Sequence, residues 1–152
     1  MTKAPADLAL IAIALAAGAL LPMQALLNGR LGVTIGNPLW ASVGQNVVGT
    51  LAMAAVLLAV RPVAPNAAAF AATPAWAWIG GAIGATYVLA VLVATPALGA
   101  TRAMTAVIAG QLIASVALDQ AGFLHARRPL NLETLAGLAL LGAGAVLILR
   151  RS

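Results

Sequence analysis

The chain has 152 residues, of which 63% are hydrophobic and only 7% are charged, and its mean hydropathy is +1.06. A soluble domain of this length carries about 25% charged residues, so the composition excludes an ordinary water-soluble fold and indicates a membrane protein. The net charge of +5 comes from basic residues scattered at the ends of apolar segments, a distribution that excludes the basic stripe of a nucleic-acid-binding protein.

Five apolar segments are long enough to cross a bilayer, which takes about 20 predominantly apolar residues. The predicted spans are Leu8–Leu27, Leu39–Val60, Ala75–Leu98, Ala103–Leu118 and Leu132–Leu149. We therefore predict an all-α integral membrane protein in which residues 1–152 form a single five-helix membrane domain. The first segment also resembles a secretory signal because Lys3 precedes it, but it has the length of a span and four more spans follow.

The predicted connections contain residues that favour turns. Asn28–Pro38 contains three glycines and a proline, Arg61–Pro74 contains three prolines, and Gly122–Asn131 is polar and basic. The link Leu98–Arg102 is so short that the third and fourth spans are expected to form a tight hairpin.

Polar side chains follow one face of each of the first three spans. In span one, Gln24 and Asn28 share a face near Pro22, which removes a helix donor and can kink the helix. In span three, Tyr87 lies one turn beyond Gly84. The stripe of polar or small residues on span two consists of Ser42, Gln45, Asn46, Gly49, Thr50 and Met53.

The fourth span spaces Gln111, Ser115 and Asp119 by four residues each, so the three side chains lie one above another on a helix. Any one polar group on these spans fits an interhelical hydrogen bond that holds a bundle together. Because four of the five spans carry a polar face at comparable depth, the whole set favours a shared cavity instead.

Counting along the spans places Asn46, Tyr87 and Gln111 near the bilayer midplane, and Gln24 and Asp119 nearer the ends. The candidate substrate-binding residues are Gln24, Asn28, Gln45, Asn46, Tyr87, Gln111, Ser115 and Trp78. Trp78 is included because it can turn inward from the start of span three. Trp40 and Trp76 are interpreted as anchors at the membrane interface.

Glycines on the third and fifth spans allow helices to approach one another closely. The candidate packing or dimer-contact residues are Gly80, Gly84, Gly137, Gly142 and Gly144. Span five has no strongly polar residue after Thr134, which favours a packing or dimerising helix.

Asp119 is the one acidic residue near the interior of a span, and it lies within a turn of the water. It is predicted to cap the helix or to pair with Arg127 or Arg128, with gating as the alternative role. A proton-coupled cation exporter needs a carboxylate near the midplane, and the sequence places none at that depth. Arg102 is interpreted as a topology charge that could also attract an anion to the mouth of the cavity.

The basic residues divide evenly between the two sides of the predicted domain. One side has Lys3, Arg61, Arg127 and Arg128, and the other has Arg30, Arg102, Arg150 and Arg151. An excess of basic residues marks the cytoplasmic side, so an even division suits a chain that inserts in both orientations, although it can also be accidental. Two opposed copies would form an antiparallel homodimer, the counterpart of an inverted-repeat transporter.

Several short motifs follow one another in a specific order. They are Gly18, Pro22, Gln24 and Asn28 with "RLG" after it, then "GNP", "GT", "GGAIGATYV", "LGA", "AGQL", Asp119 with Gly122, "RRPL", and Gly137 with Gly142. Together they resemble the YdcZ-type branch of the drug/metabolite transporter superfamily, which are bacterial inner-membrane proteins with five spans. The resemblance implies a multi-pass exporter of the bacterial inner membrane. It also implies that each chain supplies half of a ten-helix transporter, paired with an opposed second copy or an oppositely oriented paralogue.

One pair departs from the family pattern: Gln45-Asn46 stands where the family tends to have Ser-Phe. This departure suggests a substrate more polar than those of the relatives.

The predicted function is secondary transport, namely export of an unidentified small molecule by alternating access as an antiparallel homodimer in the lipid bilayer. An antiparallel ion channel and a non-transporting assembly subunit are the alternatives. An enzyme is not expected, because the chain has no cysteine and its one histidine, His125, has no second ligand at metal spacing. No catalytic residue, metal, cofactor or nucleic-acid partner is therefore predicted.

Overall fold

The computed structural model describes residues 3–122, 124, 126, 127 and 129–150, with side chains from Asp7 onward. His125, Arg128, Arg151 and the side chain of Lys3, which enter the sequence predictions, lie outside the described residues. The helices are α1 (Lys3–Ile35), α2 (Pro38–Val60), α3 (Ala67–Ala72), α4 (Ile79–Leu98), α5 (Ala100–Ala121) and α6 (Leu132–Leu149). A 3-10 turn, Ala75–Trp78, leads directly into α4, and the described residues contain no strand.

The prediction of five spans is confirmed by length and composition. The helices that are long and apolar enough to cross a membrane are Asp7–Ile35, Pro38–Val60, Ala75–Leu98, Ala100–Ala121 and Leu132–Leu149. The third and fifth agree with the predicted bounds, and the fourth extends beyond them at both ends. The number of spans follows from the sequence because it depends on how many apolar residues occur in a row.

The predicted first connection, Asn28–Pro38, is wrong over most of its length. Helix α1 continues to Ile35, and only Gly36 and Asn37 separate it from α2. Gly36 has a φ of 72°, a left-handed conformation that ends the helix and favours glycine. The Asn37 Oδ1 atom then accepts hydrogen bonds from the backbone N–H groups of Leu39 (2.9 Å) and Trp40 (3.3 Å), which caps α2.

The other two glycines of that segment serve packing instead of turning. Gly29 and Gly32 are buried in α1 and lie against α4. A Cβ atom at Gly29 would lie 3.0 Å from Pro96 Cγ, and one at Gly32 would lie 2.6 Å from Leu92 Cδ2. The three-residue spacing of Gly29 and Gly32 is a signal for helix packing in the sequence, but the glycines of this segment predict a turn.

The second connection contains a short helix that the sequence did not predict. Asn66 caps α3 by accepting a hydrogen bond from the Ala69 backbone N–H at 2.8 Å. Arg61 ends α2 in a left-handed conformation with a φ of 49°. The link between α4 and α5 is Gly99 alone, with a φ of 78°. The hairpin expected there stays a prediction.

The chain divides into two compact units, Met1–Ala97 and Leu98–Ser152. In the first unit, α1 packs against α2, and Leu92 of α4 lies against Gly32 of α1. The buried residues of this unit include Ala25, Ala41, Ser42, Val91, Leu92 and Thr95. In the second unit, α5 packs against α6. The prediction of one five-helix membrane domain stays a prediction.

Most large apolar side chains point outward, as in Leu8 (67% exposed) and Leu140 (75% exposed). Such a surface would be unstable in water, whereas in a bilayer lipid tails solvate it as well as protein would. The outward apolar surface therefore agrees with a bilayer environment.

Candidate functional site

A groove in the first unit is lined by the polar and small faces of α1, α2 and α4, and we call it the amide groove. Its volume is about 570 Å³. The lining residues are Gln24, Gln45, Asn46, Gly49, Thr50, Met53, Gly81, Gly84, Ala85, Tyr87 and Val88. Four of the candidate substrate-binding residues are among them, and a fifth, Asn28, contacts the lining by a hydrogen bond to Gln45.

Helical periodicity explains why α2 supplies most of the polar lining. Gln45, Gly49 and Met53 are spaced by four residues and so share one side of the helix. Asn46 and Thr50 occupy the adjacent row. A side chain of α1 or α4 that reaches this side therefore meets amides and glycine backbone instead of a branched apolar side chain.

One hydrogen bond joins two of the helices across this face. Asn28 Nδ2 of α1 donates to Gln45 Oε1 of α2 at 3.4 Å, and both residues are half-buried. The long distance makes this a weak bond. The side-chain oxygen of Asn28 and the side-chain NH₂ group of Gln45 have no partner in the described part of the chain.

Asn46 also keeps part of its hydrogen-bonding capacity. Its Nδ2 atom donates to the Ser42 backbone carbonyl at 2.7 Å, and Thr50 Oγ1 in turn donates to the Asn46 backbone carbonyl at 2.9 Å. Among the described residues, nothing donates to the Asn46 side-chain oxygen. The half-buried Tyr87 hydroxyl and the exposed Gln24 amide also have no protein partner there.

The helix bounds change the depth assigned to Gln24. Because span one runs from Asp7 to Ile35 instead of ending at Leu27, Gln24 lies near the centre of its helix and not near an end. Asn46 and Tyr87 are also close to the centres of their spans. All three polar residues therefore lie within about one helical turn of the centres of their spans.

A second groove, of about 580 Å³, lies beside the first on α2 and α4 and is mostly apolar. It is lined by Leu39, Ser42, Val43, Asn46, Val47, Thr50, Leu51, Ala85, Thr86 and Leu89. Asn46, Thr50 and Ala85 line both grooves and form the boundary between them.

In the second unit, the polar face of α5 is separate from the groove that α5 forms with α6. That groove, of about 590 Å³, is apolar, and none of Gln111, Ser115 and Asp119 lines it. Gln111 and Ser115 are exposed, and Ser115 Oγ donates to the Gln111 backbone carbonyl at 2.7 Å. Asp119 is half-buried and has an interaction partner. A cavity shared by α5 with the other polar faces stays a prediction.

Trp78 is not among the residues that line the amide groove. Its ring stacks on Phe70 of α3 with ring centroids 6.3 Å apart and an angle of 13° between the planes, and 61% of the residue is exposed. The stacking partner was missed because α3 was interpreted as loop.

The candidate packing glycines make no close contact within the described part of the chain. A Cβ atom at Gly80, Gly84, Gly137, Gly142 or Gly144 would have no neighbouring atom within 4 Å. Gly84 lines the amide groove, and Gly142 and Gly144 line the groove of α5 and α6. A packing role for these glycines therefore stays a prediction.

Arg102 lies in the first turn of α5 and is half-buried. Its Nε atom is buried and has no hydrogen-bond partner among the described residues. The role of Arg102 as a topology or gating charge stays a prediction.

The five apolar helices and their polar motifs agree with one family. Residues 9–147 match the family model DMT_YdcZ, whose description is "Putative inner membrane exporter, YdcZ". The chain belongs to this family. The resemblance inferred from the motifs is thus confirmed, and so is the multi-pass location in the inner membrane. The YdcZ description is that of a transporter and not of an enzyme. Comparison with curated proteins and with solved structures finds no match.

Proposed function

We propose that the chain is a secondary transporter that exports a small molecule, and that the amide groove binds this molecule. The observation that carries the proposal is the unused hydrogen-bonding capacity of Gln24, Gln45, Asn46 and Tyr87 near the middle of apolar spans, together with that of Asn28 further along α1. Polar groups without a partner are costly at this depth, which favours their occupation by water or solute. Binding near the midplane is typical of secondary transporters.

An antiparallel homodimer is the assembly that we propose for transport. Two opposed copies are equivalent in energy, so an exchange of their conformations would convert an outward-open pair into an inward-open pair. The even division of basic residues supports insertion in both orientations. An oppositely oriented paralogue could replace the second copy.

Further residues have proposed roles in this assembly. Gln111 and Ser115 would extend the cavity wall, and Trp78 would contact substrate near its mouth. Asp119 and Arg102 would act in gating or charge pairing. The contacts with the second copy would involve Gly80, Gly84, Gly137, Gly142 and Gly144.

Transport can be measured without knowledge of the substrate. Liposomes that contain the purified protein are loaded with a small-molecule extract of the expressing bacterium, and mass spectrometry follows the loss of each solute. We expect particular solutes to leave faster than from protein-free liposomes. Asn46→Leu should slow this loss by about tenfold or more, because it removes hydrogen bonds that fix the substrate. Gln111→Leu should do the same if α5 contributes to the cavity.

The matched control is Val48→Leu, on the same helix, because Val48 lines neither groove and is 66% exposed. Its loss rates should equal those of the wild type. Unchanged export in Asn46→Leu would remove the amide groove from the mechanism. The absence of any protein-dependent loss would favour the non-transporting subunit, and rates far above about a thousand molecules per second would favour a channel.

A further inference from the structure

The lining of the amide groove also points to a class of substrate, an inference that rests on the groove being the binding site. We infer that the groove takes a neutral solute that both donates and accepts hydrogen bonds, such as a carboxamide or a polyol, and not an ion.

The first support is the absence of charged side chains from the lining. None of the eleven lining residues is Asp, Glu, Lys or Arg. The charged residues of this unit with described side chains are Asp7, Arg30 and Arg61, and none of them lines the groove. An ion at this depth would lose its hydration without gaining an opposite charge, and that loss is much more costly than desolvating a neutral group.

The second support is the mixture of donors and acceptors. Each side-chain amide carries one carbonyl oxygen and one NH₂ group, so the groove offers both kinds of group whichever way an amide is turned. The amides of Gln24, Asn28, Gln45 and Asn46, together with the Tyr87 hydroxyl, provide this mixture. Two of the NH₂ groups already have an acceptor in the protein. Asn28 Nδ2 donates to Gln45 Oε1, and Asn46 Nδ2 donates to the Ser42 backbone carbonyl.

A charged solute could satisfy only part of this set. An anion would pair with N–H groups and leave the carbonyl oxygens unpaired, and a cation would do the reverse. A solute with hydroxyl or amide groups can satisfy both. The glycines Gly49, Gly81 and Gly84 expose open space along the lining, so the backbone leaves room for such a solute beside the amides.

The one tyrosine of the chain allows a direct binding test. Because Tyr87 is the single tyrosine, growth with 3-fluorotyrosine gives one ¹⁹F NMR signal, and it comes from the groove. The probes are D-gluconamide, D-gluconate and D-glucamine, which share one polyol chain and end in a neutral amide, a carboxylate and an ammonium group. We expect gluconamide to shift the signal with an apparent Kd about tenfold or more below that of either ion.

A charge-adding variant tests the same inference in the opposite direction. Gln45→Glu keeps an oxygen that can accept from Asn28 Nδ2 and adds a negative charge to the groove. The variant should gain affinity for glucamine by about tenfold, because the cation then has a counter-charge. The control Val48→Leu should retain the wild-type order of the three probes.

Two results would overturn the inference. One is wild-type affinity for gluconate or glucamine equal to that for gluconamide, and the other is no shift with any of the probes. Failure of the proposed function is distinguishable from failure of this inference. A gluconamide-dependent shift without release of any solute from liposomes would exclude transport and leave the class of bound solute intact. Release of only charged solutes from extract-loaded liposomes would reject the class and leave transport intact.

Discussion

Four hydroxyl groups in the spans hydrogen-bond to the backbone of their own helix. Thr50, Thr86, Thr105 and Ser115 each donate to the carbonyl four residues earlier, at distances between 2.7 and 2.9 Å. A hydroxyl bonded in this way needs no partner on another helix. Ser115 can therefore face lipid or a cavity at little cost, which weakens the case that its hydroxyl must bind substrate.

Thr95 differs from these four residues because its hydroxyl is buried and unpaired within the described part of the chain. It is only 3% exposed, and its Oγ1 atom has no hydrogen-bond partner among the described residues. A buried hydroxyl without a partner is destabilising, and valine has nearly the same shape without the polar group. We therefore expect Thr95→Val to leave the free energy of unfolding unchanged or to raise it by about 1 kcal/mol.

Thermal unfolding of the purified protein in one detergent measures this effect. Thr95→Ala is the control and should lower the unfolding midpoint, because it removes a buried methyl group and leaves a cavity. A loss of stability in Thr95→Val of about 1 kcal/mol or more would contradict the expectation and indicate a water or solute bound to the hydroxyl.

At the level of helices, the contact between α1 and α4 depends on two glycines and a proline. Pro96 lies inside α4, and its ring atoms Cγ and Cδ would lie 3.0 and 3.2 Å from a Cβ atom at Gly29. The ring is rigid, so a side chain at Gly29 can fit only if the helices move apart. Close helix approach through small residues is a common way to stabilise a membrane bundle.

We expect Gly29→Ala to lower the free energy of unfolding by about 1–3 kcal/mol, as overpacking of a tight contact does. Thermal unfolding in detergent checks this value. Gly18→Ala in the same helix is the matched control, because a Cβ atom there meets nothing within 4 Å, and its unfolding midpoint should not fall. If both variants unfold at the same temperature as the wild type, α1 and α4 do not pack through Gly29.

The amide groove also belongs to the level of helices, because α1, α2 and α4 each contribute residues to its lining. Each polar stripe was predictable because helical periodicity is local, and Gln45, Asn46 and Tyr87 do line one groove. The hydrogen bond between Asn28 and Gln45 was not predictable, because it depends on the register of α1 against α2. The contacts of Gly29 and Gly32 with α4 were not predicted either, because turn chemistry assigns those glycines to a loop.

For the whole molecule, the proposed antiparallel pair requires that copies insert in both orientations. The chain has no cysteine, so Ser152→Cys introduces a single thiol at the C-terminus. We expect an impermeant maleimide to label about half of the C-termini in intact cells and the rest only after lysis, because the basic residues do not favour either side. Labelling from one side alone would exclude a dual-topology homodimer and direct the search to an oppositely oriented partner.

Hydrophobic length and residue order were sufficient to predict the membrane class, the five spans and the YdcZ family, because each depends on residues that are neighbours in the chain. The tertiary structure decided which glycines pack and which turn. Gly29 and Gly32 contact α4, whereas Gly36 ends α1. It also decided which amides share a groove and which hydroxyls remain unpaired. These properties depend on distances between helices far apart in sequence, and the periodicity of a single helix carries no information about them.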